Sequence, residues 1–208
     1  MLRIYKDDYG FHLIGKLFNT NINTTIYKTY PTAWTLGVRN LIPSGKRIIF
    51  CDYDMHLLEH IIPEIKYIQQ KYHLSDFYIL KSSQKPNGFH AICLDELTLK
   101  EMMKILQEMS CDEYFRLMPI KHDMHSWNLR SIRKAGSKAP KLIKIIKSPY
   151  QERKKSLAHY LYLKYHFGLK IPKPKNCDNN KKVFFIEYGT MNYIDIDKTK
   201  NLSHNQKI

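Results

Sequence analysis

The chain has 208 residues and carries 34 Lys and Arg against 19 Asp and Glu, a formal net charge of +15. That length holds one substantial core with an appendage, and a cationic excess spread along the sequence among 15 tyrosines favours nucleic acid over a membrane as partner. With no long uncharged apolar run and no signal-like start, a soluble, cytoplasmic protein without a membrane role is expected. Cys51, Cys93, Cys111 and Cys177 are scattered with no Cys-x-x-Cys, so neither a disulfide framework nor a cysteine zinc site has support.

In chain order, residues 1 to 46 contain strand-like stretches near 2 to 5 and 11 to 17 and an ambiguous segment at 34 to 39. They are expected to form an N-terminal α/β unit. From residue 47 the pattern turns regular. An apolar strand at 47 to 53 precedes helical periodicity through Leu58, Ile61, Ile62, Ile65, Ile68 and Tyr72, with Pro63 expected to restart the helix. Residues 77 to 80 and 88 to 94 read as a long-looped hairpin. Thr98-Leu99-Lys100-Glu101 is a capping box that opens a second helix with its stripe at Leu99, Met102, Met103, Leu106 and Met109. Residues 114 to 120 read as a fourth strand. Strand, helix, strand, strand, helix, strand is the split βαβ order of ferredoxin-like and RNA-recognition-type domains, an α+β class.

Because Ile48 and Phe50 alternate with Ile49 and Cys51, both faces of the first core strand need cover, and a second layer is required. Downstream, residues 128 to 134 and 141 to 147 read as a basic hairpin. Ser148-Pro149-Tyr150-Gln151 carries a cap, a first-turn proline and a capping-box glutamine, which places a helix from 149 to 167. A final hairpin at 183 to 196 precedes a disordered tail. The organisation expected is a catalytic domain at 1 to 147 (N-terminal unit 1 to 46, core 47 to 124, hairpin 125 to 147) and an extension at 148 to 208.

The chemistry concentrates at Ile48-Ile49-Phe50-Cys51-Asp52-Tyr53-Asp54. Two carboxylates two residues apart on a strand share a side and oppose each other's ionisation, a conflict that a hard cation such as Mg²⁺ or Mn²⁺ relieves. Lys81-Ser82-Ser83-Gln84-Lys85-Pro86-Asn87-Gly88-Phe89-His90 offers hydroxyls, amides, ammonium groups and an imidazole to phosphate oxygens. In the split βαβ order the first and third strands are central neighbours, so His90 is expected beside Asp52 and Asp54. Asp123 follows the fourth strand, and Arg130, Ile132 and Lys134 share a strand face with Lys138 in the turn beyond, a basic set suited to a triphosphate.

On these residues the chain resembles the archaeo-eukaryotic primase superfamily, including the primase-polymerases of plasmids and viruses. The family's signatures are an Asp-x-Asp/Glu after a strand, a Ser-rich loop ending in x-His, and a third Asp followed by Asn-x-Arg and Ser-x-Lys. They correspond here to Asp52-Tyr53-Asp54, to Ser82-Ser83 through Gly88-Phe89-His90, and to Asp123 with Asn128-Leu129-Arg130 and Ser137-Lys138. The match covers roughly residues 47 to 140. It departs in a longer loop before His90, in Gly88 where many members have Ser, and in a tight spacing from Asp123 to Arg130, which leaves Asp112 as a weaker substitute acid.

The resemblance implies a DNA primase or primase-polymerase, a template-dependent nucleotidyltransferase using Mg²⁺ or Mn²⁺. Asp52, Asp54 and Asp123 would hold the cations. Ser82, Ser83, His90, Arg130 and Lys138 would contact the nucleoside triphosphate. Single-stranded DNA template is assigned to Arg133, Lys134, Arg153, Lys154 and Tyr160, since stacking rings between cations suit a single strand. No helicase segment accompanies these motifs, so a helicase or other replication protein is a plausible partner. Two alternatives stand beside this reading. One is a non-catalytic single-stranded nucleic-acid-binding domain. The other is a zinc metallopeptidase, from His56-Leu57-Leu58-Glu59-His60, whose two histidines four apart would share a helix face.

Overall fold

The computed structural model describes residues 2–6, 10–17, 20–27, 37–81, 87–121, 127–130, 140–166, 171–187 and 190–195. Two compact units emerge, Met1–Ala33 and Trp34–Ile208. In the first, β1 (Leu2–Lys6), β2 (Gly10–Leu17) and β3 (Thr20–Tyr27) form an antiparallel sheet in that order. The strands at the first two stretches are as expected, whereas the described residues of this unit are all strand.

The second unit is mixed α+β and is organised by a four-stranded antiparallel sheet. Its strands are β5 (Arg47–Tyr53), β6 (Phe77–Lys81), β7 (Phe89–Leu97) and β9 (Lys141–Ile146), in the order β5-β7-β6-β9. A second sheet has the order β11-β10-β4-β8, from β4 (Gly37–Arg39), β8 (Asn128–Arg130), β10 (Lys182–Glu187) and β11 (Thr190–Asp195). Helices α1 (Leu58–Tyr72), α2 (Leu99–Glu108), α3 (Glu113–Lys121) and α4 (Leu157–His166) complete the described elements.

Periodicity explains the first core. Ile61, Ile65 and Ile68 of α1 and Met102, Ile105 and Leu106 of α2 pack on Ile49, Cys51 and Tyr53 of β5, Ile79 of β6 and Ala91 and Cys93 of β7. Thr98 and Glu101 make the reciprocal capping box that opens α2. Pro63 lies inside α1, which continues unbroken through it. The alternate residues Ile48, Phe50, Tyr78, Leu80, Ile92 and Leu94 face a second core closed by Val38, Ile171 and Leu157, Ala158, Tyr160, Tyr162 and Leu163 around α4. The second layer demanded by the sequence comes mainly from α4.

Four local expectations are corrected. Residues 114 to 120 lie in α3, because the Asp112 carboxylate accepts the Phe115 N–H at 2.7 Å and caps a helix start with Glu113 in its first turn. Among the described residues no strand takes that place, and β5 is the end strand of its sheet. The expected partners at 128 and 141 lie in different sheets among the described residues: β8 pairs with β4, and β9 pairs with β6 from Lys81↔Lys141 to Phe77↔Ile146. The helix placed at 149 begins instead at Leu157. Asp76 captures the would-be helix start, accepting from Ser148 N at 3.0 Å, Gln151 Nε2 at 3.0 Å and Lys147 Nζ at 2.7 Å.

Two buried polar groups join the layers. Asn40 donates from Nδ2 to Ile48 O and accepts from Trp127 N at its Oδ1, both at 2.9 Å, while its backbone bonds both residues as well. Asp95 accepts from Ser75 N at 2.7 Å and Ser75 Oγ at 2.6 Å, with Lys155 Nζ at 3.9 Å. Lys155 is itself buried and donates to the carbonyls of Gln151 and Arg153 at 2.9 and 3.0 Å.

His159 gives the fold a pH dependence. Its Nε2 lies 2.7 Å from the Arg39 carbonyl oxygen and its Nδ1 2.7 Å from Ser156 Oγ. A carbonyl only accepts, so Nε2 carries the proton and Nδ1 accepts from the hydroxyl. Burial pushes the imidazole down to about 4 from its ordinary 6.5. Between these values the unfolded chain binds more protons than the native one, so stability falls as pH falls through that window. Urea titrations of wild type should show a loss of about 3 kcal/mol from this group between pH 7 and pH 4. A parallel His159→Gln profile should lack that component, and identical slopes for the two proteins would refute it.

Candidate active site

The β5–β7 register puts Asp52 directly opposite His90, and β6 places Leu80 on the other side of His90. The expected adjacency of these strands is present, although β5 is not central. His90 Nε2 lies 3.6 Å from Asp52 Oδ1, with the imidazole 7% and the carboxylate 29% exposed. That separation is longer than a hydrogen bond and within ion-pair range. The two groups sit at one end of the face that carries Phe50 and Ile92 into the second core. An apolar floor and an open rim around one acid and one imidazole create a site where charge is only partly screened.

Asp54 is half-buried and follows the last residue of β5. The chain turns immediately after it, with Met55 in the left-handed region at φ 66° and 72% exposed. Only Asp52 therefore lies on regular strand, and Asp54 occupies the first turn position. A left-handed backbone at a non-glycine residue costs about 1–2 kcal/mol. Here it sits at the candidate site.

Below the acids, the turn is fastened by groups that the sequence reading missed. Tyr53 points to the helix side and donates to Glu64 Oε1 at 2.7 Å. Glu64 Oε2 accepts from Ser110 N at 3.1 Å and from Ser110 Oγ. Burial pushes the Tyr53 hydroxyl well up from its ordinary range, with Cys51 and Glu64 adding to the effect, so it remains a donor. Glu64 falls between Ile61 and Ile68 on the buried stripe of α1, and an acid at such a position was the available signal. The Asp112 N–H donates to the Asp52 carbonyl at 2.7 Å. Asp112 thus lies beside Asp52, with one carboxylate oxygen committed to capping α3.

Among the other expected site residues, Ser82, Ser83, Asp123, Arg133, Lys134 and Lys138 lie outside the described residues. Arg130 is on β8 opposite Gly37 of β4. Arg153 is engaged with Glu101 Oε1 and the Tyr72 carbonyl, while Lys154 is exposed. Tyr160 is 3% exposed and donates to Ile171 O at 3.0 Å, so its ring fills the second core and is not open to a base. The helix-face argument for a zinc peptidase does not hold: α1 starts at Leu58, and His56 sits in the preceding turn, its ring edge-on to Tyr53 at 5.5 Å. Among the described residues, no three His, Cys, Asp or Glu side chains gather into a metal-holding group. The donors at the end of β5 are nonetheless hard carboxylate oxygens, the chemistry that Mg²⁺ and Mn²⁺ take. Comparison with known protein families, characterised proteins and solved structures finds no match to this chain.

Proposed function

We propose that this chain is a template-dependent nucleotidyltransferase of the primase or primase-polymerase kind, making or extending primers on single-stranded DNA with Mg²⁺ or Mn²⁺. The observation that carries this reading is the Asp52–His90 pair, 3.6 Å apart on neighbouring strands at an open sheet end. The motif order from Asp52-Tyr53-Asp54 to Asn128-Leu129-Arg130 and the +15 charge support it. The finer fold reading, a split βαβ unit, draws support from the strand order, in which β7 lies antiparallel between β5 and β6.

In this mechanism Asp52 and Asp54 would hold the cations, with Asp123 as the third acid. The bound cations would neutralise triphosphate charge and make the primer 3′-hydroxyl a better nucleophile. His90 donates a hydrogen bond to the nucleotide's phosphate oxygens from beside Asp52. Ser82, Ser83, Arg130 and Lys138 add donors and positive charge along the triphosphate. The Tyr53–Glu64–Ser110 links keep the acid turn in place, so catalysis by positioning has a stiff support.

The direct test is to incubate the protein with single-stranded DNA, Mn²⁺ or Mg²⁺ and labelled nucleotides, with and without primer. Templated products are the expected result, and their absence under all combinations would sink the reading. A non-catalytic single-stranded nucleic-acid-binding domain is the second reading, favoured by charge alone. Both require electrostatic template binding: affinity for single-stranded DNA should fall roughly 10- to 100-fold between 50 and 200 mM salt. A flat salt response in a fluorescence-anisotropy titration would remove both.

A further inference from the structure

We propose that a cleft on the second-core side of the main sheet, lined by Tyr78, Lys147 and Lys173, binds a phosphate group. Tyr78 of β6, Leu94 of β7 and Ile145 of β9 contribute the sheet side of the lining, and residues 171 to 174 contribute the rest of its apolar surface. The cleft stands apart from the acid pair. Along β7, Leu94 lies four residues beyond His90, roughly 13 Å at the rise of an extended strand. Nothing in the proposed nucleotide chemistry uses Tyr78, Lys147 or Lys173, so this inference stands independently of it.

Two donors are unspent there. Tyr78 is 5% exposed, yet its hydroxyl makes no hydrogen bond among the described residues. Burial pushes that hydroxyl up, with the Asp76 carboxylate adding to the effect, so it keeps its proton and calls for an acceptor. Lys173 is exposed and has no hydrogen bond or ion pair among the described residues. The other charges of the lining are met from within. Asp76 accepts from Ser148 N, Gln151 Nε2 and Lys147 Nζ, so three donors already answer its carboxylate. Lys147 spends one N–H on that bond, and its 70% exposed side chain keeps two for a ligand. Lys155 is committed inward, to two carbonyls and Asp95. With Lys147, Lys155 and Lys173 against Asp76, the lining carries an excess of positive charge. A phosphate bears one negative charge as a diester and up to about two as a monoester, with acceptor oxygens spread around a tetrahedron. That shape suits a hydroxyl and two ammonium groups arriving from different walls, whereas a carboxylate offers two oxygens in one plane. Leu94, Ile145 and Ile171 lie beside the donors to carry the carbon portion of an ester.

The test titrates inorganic phosphate calorimetrically into the whole protein, in a phosphate-free buffer of constant ionic strength without divalent cation. Tyr78→Phe removes only the hydroxyl, and Lys173→Ala removes an exposed ammonium that the fold does not use. Saturable binding to one site is expected in wild type, weakened roughly 5-fold or more by each substitution. Absence of saturable heat, both variants binding as tightly as wild type, or acetate binding as tightly as phosphate would each overturn the proposal. Should Tyr78→Phe fail to fold, Lys173→Ala alone decides. Fluorescence anisotropy with single-stranded DNA then separates the sources of the phosphate. Weaker oligonucleotide binding in the same variants, with competition by phosphate, supports the cleft as a seat for a strand's backbone. Unchanged oligonucleotide affinity beside weakened phosphate binding supports it as a seat for a small phosphorylated molecule. No nucleotide turnover enters the titration, so a protein that incorporates no nucleotide would leave this result untouched.

Discussion

Asp52→Ala is expected to lower templated nucleotide incorporation on the order of 10³-fold while single-stranded DNA binding persists. The change removes the carboxylate that faces His90 at 3.6 Å, yet leaves the Asp52 carbonyl free to accept from Asp112 N, so the local backbone keeps its bond. Circular dichroism and anisotropy with labelled oligonucleotide should match wild type. Incorporation by the variant at wild-type rate would remove Asp52 from the chemistry. A protein that neither folds nor binds DNA would assign it to structure instead. Asp52→Asn sharpens the comparison, because it keeps the shape and removes only the charge.

A second large effect belongs to stability. Asp95→Ala should destabilise the fold by about 3–5 kcal/mol, because it strips the carboxylate from a buried lysine and from both Ser75 donors at once. Lys155 sits 3.9 Å from Asp95 Oδ1, and Ser75 N and Oγ lie 2.7 and 2.6 Å from the carboxylate. Lys155→Met should cost less, since Asp95 keeps its two bonds to Ser75 while the methionine fills the lysine's space. Equilibrium urea unfolding reads both. Equal losses, or a loss under 1 kcal/mol for Asp95→Ala, would show that Lys155 escapes to water when its partner is removed.

How much was legible depended on whether neighbouring residues or distant ones decided each element. Helices α1 and α2 were readable because Ile61, Ile65 and Ile68, and then Thr98 with Glu101, state period and start within a few residues. The Asp52–His90 meeting was readable because strand order follows from a small set of allowed connections. Residues 114 to 120 misled because Tyr114, Phe115 and Ile120 suit strands, although Asp112-Glu113 was a usable helix-start signal. The segment after Ser148 misled for a different reason. Its capping pattern is real in sequence, but Asp76 and the Lys155 bridges to Asp95 and Cys177 recruit it into extended contacts that no local window contains. Asn40 shares that obscurity, since a polar side chain reveals its fasteners only once distant backbone arrives. Tyr160 was assigned to the nucleic-acid strand because it lies among cations, a local pattern that does not report burial, and its 3% exposure places it in the core.

The sheet face formed by Ile48, Phe50, Leu80, Ile92 and Leu94 is closed mainly by residues from 157 onward, with Val38 the early exception. A nascent chain emerging from the ribosome therefore completes three of its core strands long before the segment that shields them has been synthesised. Throughout that interval an oily, β-rich surface is open to solvent, a natural client for holdase chaperones and a seed for misassembly. Fragments ending near residue 150 should accordingly accumulate as inclusion bodies, however well their first core is made.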